Sequence, residues 1–234
     1  MTMLNDFLPT SATWGVLLTL AAFALGTFIN RKTGKAIFNP LLLGTVFVIV
    51  FLSVCSIPYE DYKASASPVS YLLLPATVSL AVPLYEKWDL LRKNVLAIVM
   101  GILAGTLASL GSVLVLALLL KLDHSQYITL LPKSVTTAIS MDVSHELGGI
   151  AALTGAIVIL TGILGALMAE TVCKVCHITH PIARGIGIGT AAHAVGTSKA
   201  LQMGEVEGAM SGLAVAVAGV MTAILCPVFS SFIS

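Results

Sequence analysis

Apolar residues fall into six runs along the chain, from about Trp14 to Ile29, Phe38 to Ile57, Val69 to Leu84, Val95 to Leu120, Ile150 to Ala169 and Ala209 to Ile233. A bilayer's hydrocarbon core is crossed by about 20 mostly apolar helical residues. The six runs therefore predict continuous membrane spans. The third is short and contains Pro75 and Pro83, which predicts a kink or break because proline removes a backbone donor and clashes with the preceding turn. The spacings Gly101-x3-Gly105 and Gly162-x2-Gly165 suit close helix packing.

Two stretches fit neither span nor loop. They are Tyr127–Gly149 and Ala183–Gly204. Both are about one membrane thickness long, both are rich in Gly, Ser and Thr, and both carry ionisable groups. In the first, Lys133, Thr136, Thr137, Ser140 and Ser144 fall at helical spacing and predict one polar face. Asp142 would point the other way on an unbroken helix. The expectation is that Asp142 meets a second polar environment or that the helix breaks near it, with Gly148-Gly149 ending the segment. In the second, Gly185, Gly187 and Gly189 alternate with Ile and predict unwound backbone. Thr190, His193 and Thr197 then share a face, followed by Ser198 and Lys199.

An ionised side chain at the centre of a membrane helix costs roughly 2.5–3.5 kcal/mol even on the lenient insertion scale. Such residues persist where they face a cavity or a partner, and irregular backbone at that depth is tolerated only where it is buried or lines water. The two segments thus predict a site for a small hydrophilic anion. A half-helix opening at the glycines would add free N–H groups at a positive dipole end. The bland alternatives are a hydrated cap for the first segment, and for the second a Gly-rich packing surface with a buried histidine bonded to backbone. The segments either re-enter, from opposite faces, or cross fully.

Composition agrees with a membrane-embedded chain. Of 234 residues, 57% are hydrophobic and 10% charged, against roughly 25% charged in soluble domains. The net charge of +1 leaves no basic stripe for nucleic acid. The first twelve residues hold no Lys or Arg, so the first apolar run reads as a retained span rather than a cleaved leader. Arg31, Lys32 and Lys35 follow the first span, and Lys87, Arg92 and Lys93 follow the third. The positive-inside rule then puts the N-terminus outside and those two loops in the cytoplasm. The fold expected is an all-α polytopic membrane protein with about six continuous spans plus two interrupted or re-entrant helical segments, forming one integral membrane domain over residues 1–234. Residues 14–120 hold the first four spans, and residues 127–234 hold the two polar segments and two spans. A weak internal repeat, Tyr71–Leu84 against Tyr127–Met141 and Gly101–Gly105 against Gly162–Ala166, suggests the inverted repeats of transporters.

Several motifs are set aside. Cys55 and Cys226 lie in apolar runs and read as small core residues. The Cys173-Lys174-Val175-Cys176-His177 run matches a haem-attachment pattern, but no other haem signature accompanies it. No cofactor and no metal are expected. The Gly-rich run at Gly185 lacks a surrounding βαβ unit, and His145-Glu146 lacks the second histidine of a zinc protease. No catalytic constellation suggests an enzyme.

The runs Asn39–Gly44, Leu130–Ile150, Ile159–Ala166 and Gly189–Ala200 resemble the LrgB/CidB family over nearly the whole chain, and the resemblance is close to that of an enterobacterial inner-membrane member. The family pattern often has proline at the position of Ala138 and a small apolar residue at that of Ser140. The resemblance implies a bacterial inner-membrane protein that works with a small four-span subunit of the LrgA/CidA type, and a homo-oligomer. It implies either a carrier or an antiholin-like regulator of murein hydrolase activity and lysis, since a plastid relative exports glycolate and glycerate. On the carrier reading, Lys133 supplies charge to a small 2-hydroxy or 2-keto monocarboxylate. Ser134, Thr136, Thr137, Ser140, Thr190, His193, Thr197 and Ser198 would line the site. Asp142, Glu146 or His193 would carry a coupling proton.

Overall fold

The computed structural model describes residues 13–33, 38, 40–72, 75, 78–79 and 81–233, except for the side chains of residues 81, 83, 84 and 91. Lys35, Asn39, Thr77 and the leader expectation for residues 1–12 lie outside the described residues. The chain is all-helical among those residues and divides into two compact units, residues 1–79 and 80–234.

In the first unit, α1 (Trp14–Thr33) and α2 (Pro40–Val54) form an antiparallel pair. A Cβ on Gly26 would stand 2.6 Å from the Pro40 carbonyl oxygen, and one on Gly44 would stand 3.5 Å from the Phe23 backbone. Lacking side chains, these glycines let the two backbones touch. The short helices α3 (Tyr59–Ser65) and α4 (Ser67–Tyr71) follow. Trp14 and Tyr62 pack ring against ring at 6.0 Å. Tyr62 also reaches the Thr19 hydroxyl at 2.8 Å.

The second unit begins with α5 (Ala81–Glu86) and α6 (Trp88–Lys93). Three long helices then frame it: α7 (Val95–Leu120), α10 (Ala151–Val175) and α12 (Glu205–Ser230). Each has the length and apolarity to cross a membrane, as α1 does. Leu116, Leu119, Leu160, Leu164, Val220 and Ile224 stand exposed on them, as lipid-facing or partner-facing residues do. The second expected span, α2, has only 15 helical residues. The third meets the short helices α4 and α5 at its two ends, on either side of Pro75.

Both polar segments double back. The first is α8 (His124–Leu130), a non-helical turn over residues 131–136, and α9 (Thr137–Glu146). Ser140 Oγ donates to the Pro132 carbonyl at 2.6 Å. The Ile150 N–H donates to Thr129 Oγ1 at 2.9 Å. Residues 21 apart meet again, so α9 returns beside α8. The second is α11 (Pro181–Met203), a helix interrupted at His193, whose φ of 42° and ψ of −139° are far from helical values. Its first leg, residues 181–192, runs parallel to α12: Gly185 abuts Glu207 and Met210, and Gly189 abuts Ser211 and Ala214. Its second leg runs antiparallel to α12: Thr197 bonds Ser211 at 2.9 Å, and Leu201 abuts Gly208. Gly196 rests on Ile188, eight residues back, where a continuous helix would hold them about 12 Å apart.

The hairpins enter from opposite ends of the frame. The first packs on the C-terminal halves of α7 and α12: Tyr127 donates to the Phe229 carbonyl, and Tyr127, Ile128 and Leu131 cluster with Leu110, Val113 and Ala117. The second packs on their N-terminal halves, with Ile182 and Ile186 against Ile98 and Ile102. Within this unit each of the antiparallel helices α7 and α10 is followed by a hairpin, an inverted arrangement. Gly101–Gly105 and Gly162–Ala166, the downstream half of the weak sequence repeat, lie on those two helices. Within the upstream half, residues 73, 74, 76, 77 and 80 fall outside the described residues.

Two sequence expectations are corrected. Gly185, Gly187 and Gly189 are helical, and the break comes at His193. Lys133 does not share a helical face with Thr137, Ser140 and Ser144, because the helix starts only at Thr137. Of the two alternatives for Asp142, the break near it is not found: the first segment breaks before Thr136, and Asp142 sits exposed inside α9, away from buried Ser140 and Ser144. In each case the break falls where a side chain far along the chain holds a turn together: Ser140 on Pro132 in one hairpin, His193 on Val158 in the other.

Candidate functional site: two opposed hairpin tips

The two hairpin tips contact the same pair of helices less than about two turns apart. On α7, a Cβ at Gly105 would stand 2.9 Å from Thr190 Oγ1, and Ser109 donates to Ser134 Oγ at 2.9 Å. On α10, Thr137 lies against Gly155, and His193 Nε2 lies 2.9 Å from the Val158 carbonyl. One helical turn is about 5.4 Å. The tips therefore approach a common level near the middle of the frame.

At the first tip, Lys133 Nζ donates to Ser109 Oγ at 3.2 Å and to Ser134 Oγ at 3.0 Å. Lys133 is half-buried and Ser134 is buried. No carboxylate of the described residues lies within ion-pair distance of Lys133. An ammonium has three donors, so this one keeps a donor for something else. Thr136 caps α9 without a side-chain hydrogen bond, leaving the first N–H groups of that helix at the tip uncapped.

At the second tip, the Val158 carbonyl can only accept, so His193 Nε2 carries the proton. His193 Nδ1 has no partner among the described residues. Gly162 makes room for the ring: a Cβ there would stand 2.6 Å from His193 Cε1 and Nε2. The second leg begins at this tip, so its N-terminal N–H groups also open here.

The other residues expected in the site divide clearly. Ser140 and Ser144 are buried and bonded internally, Ser140 to Pro132 and Ser144 to Thr154 at 2.7 Å. Thr190 donates to the Ile186 carbonyl and Thr197 to the His193 carbonyl. Ser198 is exposed and bonded to the Val195 carbonyl. Asp142 and Glu146 are exposed on α9, on the opposite side from buried Ser140 and Ser144. The second segment thus has the features of the blander alternative, since Gly185 and Gly189 are packing glycines and His193 is bonded to backbone. Ser109 was not visible as a site residue, because it sits inside an otherwise apolar span with only its hydroxyl to mark it.

Charges gather instead at the base of the second hairpin. Lys199 on the second leg reaches Glu170 of α10 at 2.6 Å, and Arg184 on the first leg lies 3.9 Å from buried Glu207 of α12. An apolar cavity of about 300 Å³ opens between α10 and the first leg, with Cys173 and Arg184 at one end and Ala192 at the other.

Comparison with known sequences fits this architecture. The sequence model of the LrgB-like family matches residues 19–232. The chain belongs to the LrgB-like family. Relatives named antiholin-like protein LrgB, from Bacillus mycoides (strain KBAB4), Bacillus cereus (strain B4264) and Bacillus anthracis (strain CDC 684 / NRRL 3495), are each 36% identical to it over 221 residues. The match covers 94% of this chain and 96% of each relative. No solved structure matches. This LrgB-like chain is thus a membrane-embedded helical protein, with its two hairpins inside the matched region.

Proposed function

We propose that this family member carries small monocarboxylates of the 2-hydroxy or 2-keto type across the bacterial inner membrane, with the substrate held between the two hairpin tips. The observation that carries the reading is Lys133, a cation without a counter-ion among the described residues, at a non-helical turn inside a membrane frame. A charge held there at roughly 2.5–3.5 kcal/mol needs a compensating partner, and a small carboxylate is one. The uncapped N-termini of α9 and of the second leg add dipole ends that favour an anion. Thr136 and Thr137 lie beside them. His193 Nδ1 is free to take a coupling proton, whereas Asp142 and Glu146 face away from the tips.

Uptake of labelled glycolate, lactate and pyruvate into proteoliposomes, with and without an LrgA/CidA-type subunit, tests this. Lys133→Ala is expected to cut uptake at least tenfold while the protein still folds and reconstitutes. Unchanged uptake would remove Lys133 from the site. No uptake of any of the three acids by the wild type, with or without the subunit, would sink the carrier reading.

The second reading is an antiholin-like regulator of murein hydrolase activity and lysis, and the printed names of the relatives support it more directly than they support transport. On that reading the tips are a structural joint within a larger assembly. Lys133→Ala would then leave lysis control intact in cells lacking the chromosomal copy.

A further inference from the structure

Thr106 lies on the buried stripe of α7 with Ile102 and Leu110, and only 3% of it is exposed. Its hydroxyl is fully covered and has no hydrogen-bond partner among the described residues. Several other helical threonines of this chain behave differently. Thr45, Thr129, Thr190 and Thr197 each donate to the carbonyl four residues back, the usual habit of a threonine in a helix. Thr106 forms no such bond to Ile102. A buried polar group left without a partner costs stability, so an orphaned hydroxyl asks what satisfies it.

Its position gives the answer. Ser109, which holds Lys133 Nζ, is three residues further along the same helix. Residues at that spacing are surface neighbours with Cβ atoms about 5–6 Å apart. Gly105, next to Thr106 in sequence, is the contact point for Thr190 of the other tip. Thr106 is therefore flanked by both tips. Thr190 and Ser134 already have partners, so neither competes for its hydroxyl.

We infer that Thr106 Oγ1 reads the 2-oxygen of the carried acid while Lys133 meets its carboxylate. The inference rests on the carrier reading above. It assigns Thr106 the choice between a 2-oxygenated acid and the plain acid of the same length. A site built to hydrogen-bond a substrate oxygen rejects the analogue that lacks it, because its own polar group is then left unpaired. The covered hydroxyl meets substrate when the tips part, a movement that alternating access requires in any case.

The test compares glycolate with acetate uptake in proteoliposomes of wild type, Thr106→Val and Thr106→Ser, together with their thermal melts without substrate. The wild type is expected to favour glycolate. Thr106→Val should lower the glycolate-to-acetate ratio at least tenfold, and Thr106→Ser should restore most of it. The ligand-free valine variant should melt at or above the wild type, since it removes an unpaired group and keeps the shape. An unchanged ratio, or a wild type without preference, overturns the role of Thr106 and leaves the carrier reading standing. A valine variant that melts lower or fails to fold also overturns it, by showing that the hydroxyl serves the resting fold. No uptake of either acid by the wild type overturns the role of Thr106, and if lactate and pyruvate also fail, with and without the LrgA/CidA-type subunit, the carrier reading falls with it.

Discussion

Replacing Ser140 with alanine removes a hydroxyl that donates to the Pro132 carbonyl across the first turn. A buried hydrogen bond lost in this way leaves an acceptor unpaired and costs about 1–3 kcal/mol. The expected outcome is a lower melting temperature in detergent with an unchanged KM for any carried acid. A raised KM at unchanged stability would return Ser140 to the substrate site. Lys133, Ser140 and Ser144 all stood out in the sequence, because polar residues are rare in so apolar a chain. The sequence could not separate the one with no counter-ion from the two bonded internally. That difference depends on partners such as Ser109 and Thr154, which lie 24 and 10 residues away.

At the scale of elements, the glycines of the second segment show what periodicity can and cannot reveal. Gly185, Gly187 and Gly189 look alike in sequence. In the structure a Cβ at Gly185 would stand 2.5 Å from the Glu207 carbonyl oxygen, and one at Gly189 would strike the Ser211 carbonyl, while one at Gly187 meets nothing within 4 Å. Gly189→Val should therefore force α11 off α12, with overpacking costing about 1–3 kcal/mol or more. Gly187→Ala should be neutral or stabilise the first leg by up to about 1 kcal/mol through helix propensity. Thermal melts of the two variants check this, and a damaging Gly187→Ala would revive unwound backbone there. The existence of both polar segments was legible because their composition departs from that of the spans around them. Their turns were not. The second turn is a histidine with a positive φ, a conformation non-glycine residues rarely adopt. It is secured by the Val158 carbonyl and by the space at Gly162, both on another helix.

For the whole molecule, the family and the helical membrane architecture were legible from composition, run lengths and motifs together. The inverted arrangement was only hinted at, because helix packing leaves a weaker trace in sequence than residue chemistry does. The doubling-back has a consequence in counting. A hairpin that returns to its own face adds no crossing, so from Val95 onward only α7, α10 and α12 traverse the bilayer. Three is odd. The segment around Arg92 and the C-terminal end of α12 must then lie on opposite sides of the membrane, while Cys176 shares the side of Arg92. If the positive-inside rule puts Lys87, Arg92 and Lys93 in the cytoplasm, a membrane-impermeant thiol reagent should leave exposed Cys176 unlabelled in intact spheroplasts and label it after permeabilisation. A tag fused after Ser234 should show the reverse accessibility. Had both segments crossed, the count would be five, and Cys176 would lie on the side opposite Arg92, together with the C-terminal end. Parity makes the placement of one exposed cysteine relative to Arg92 a direct reading of whether the first hairpin turns back.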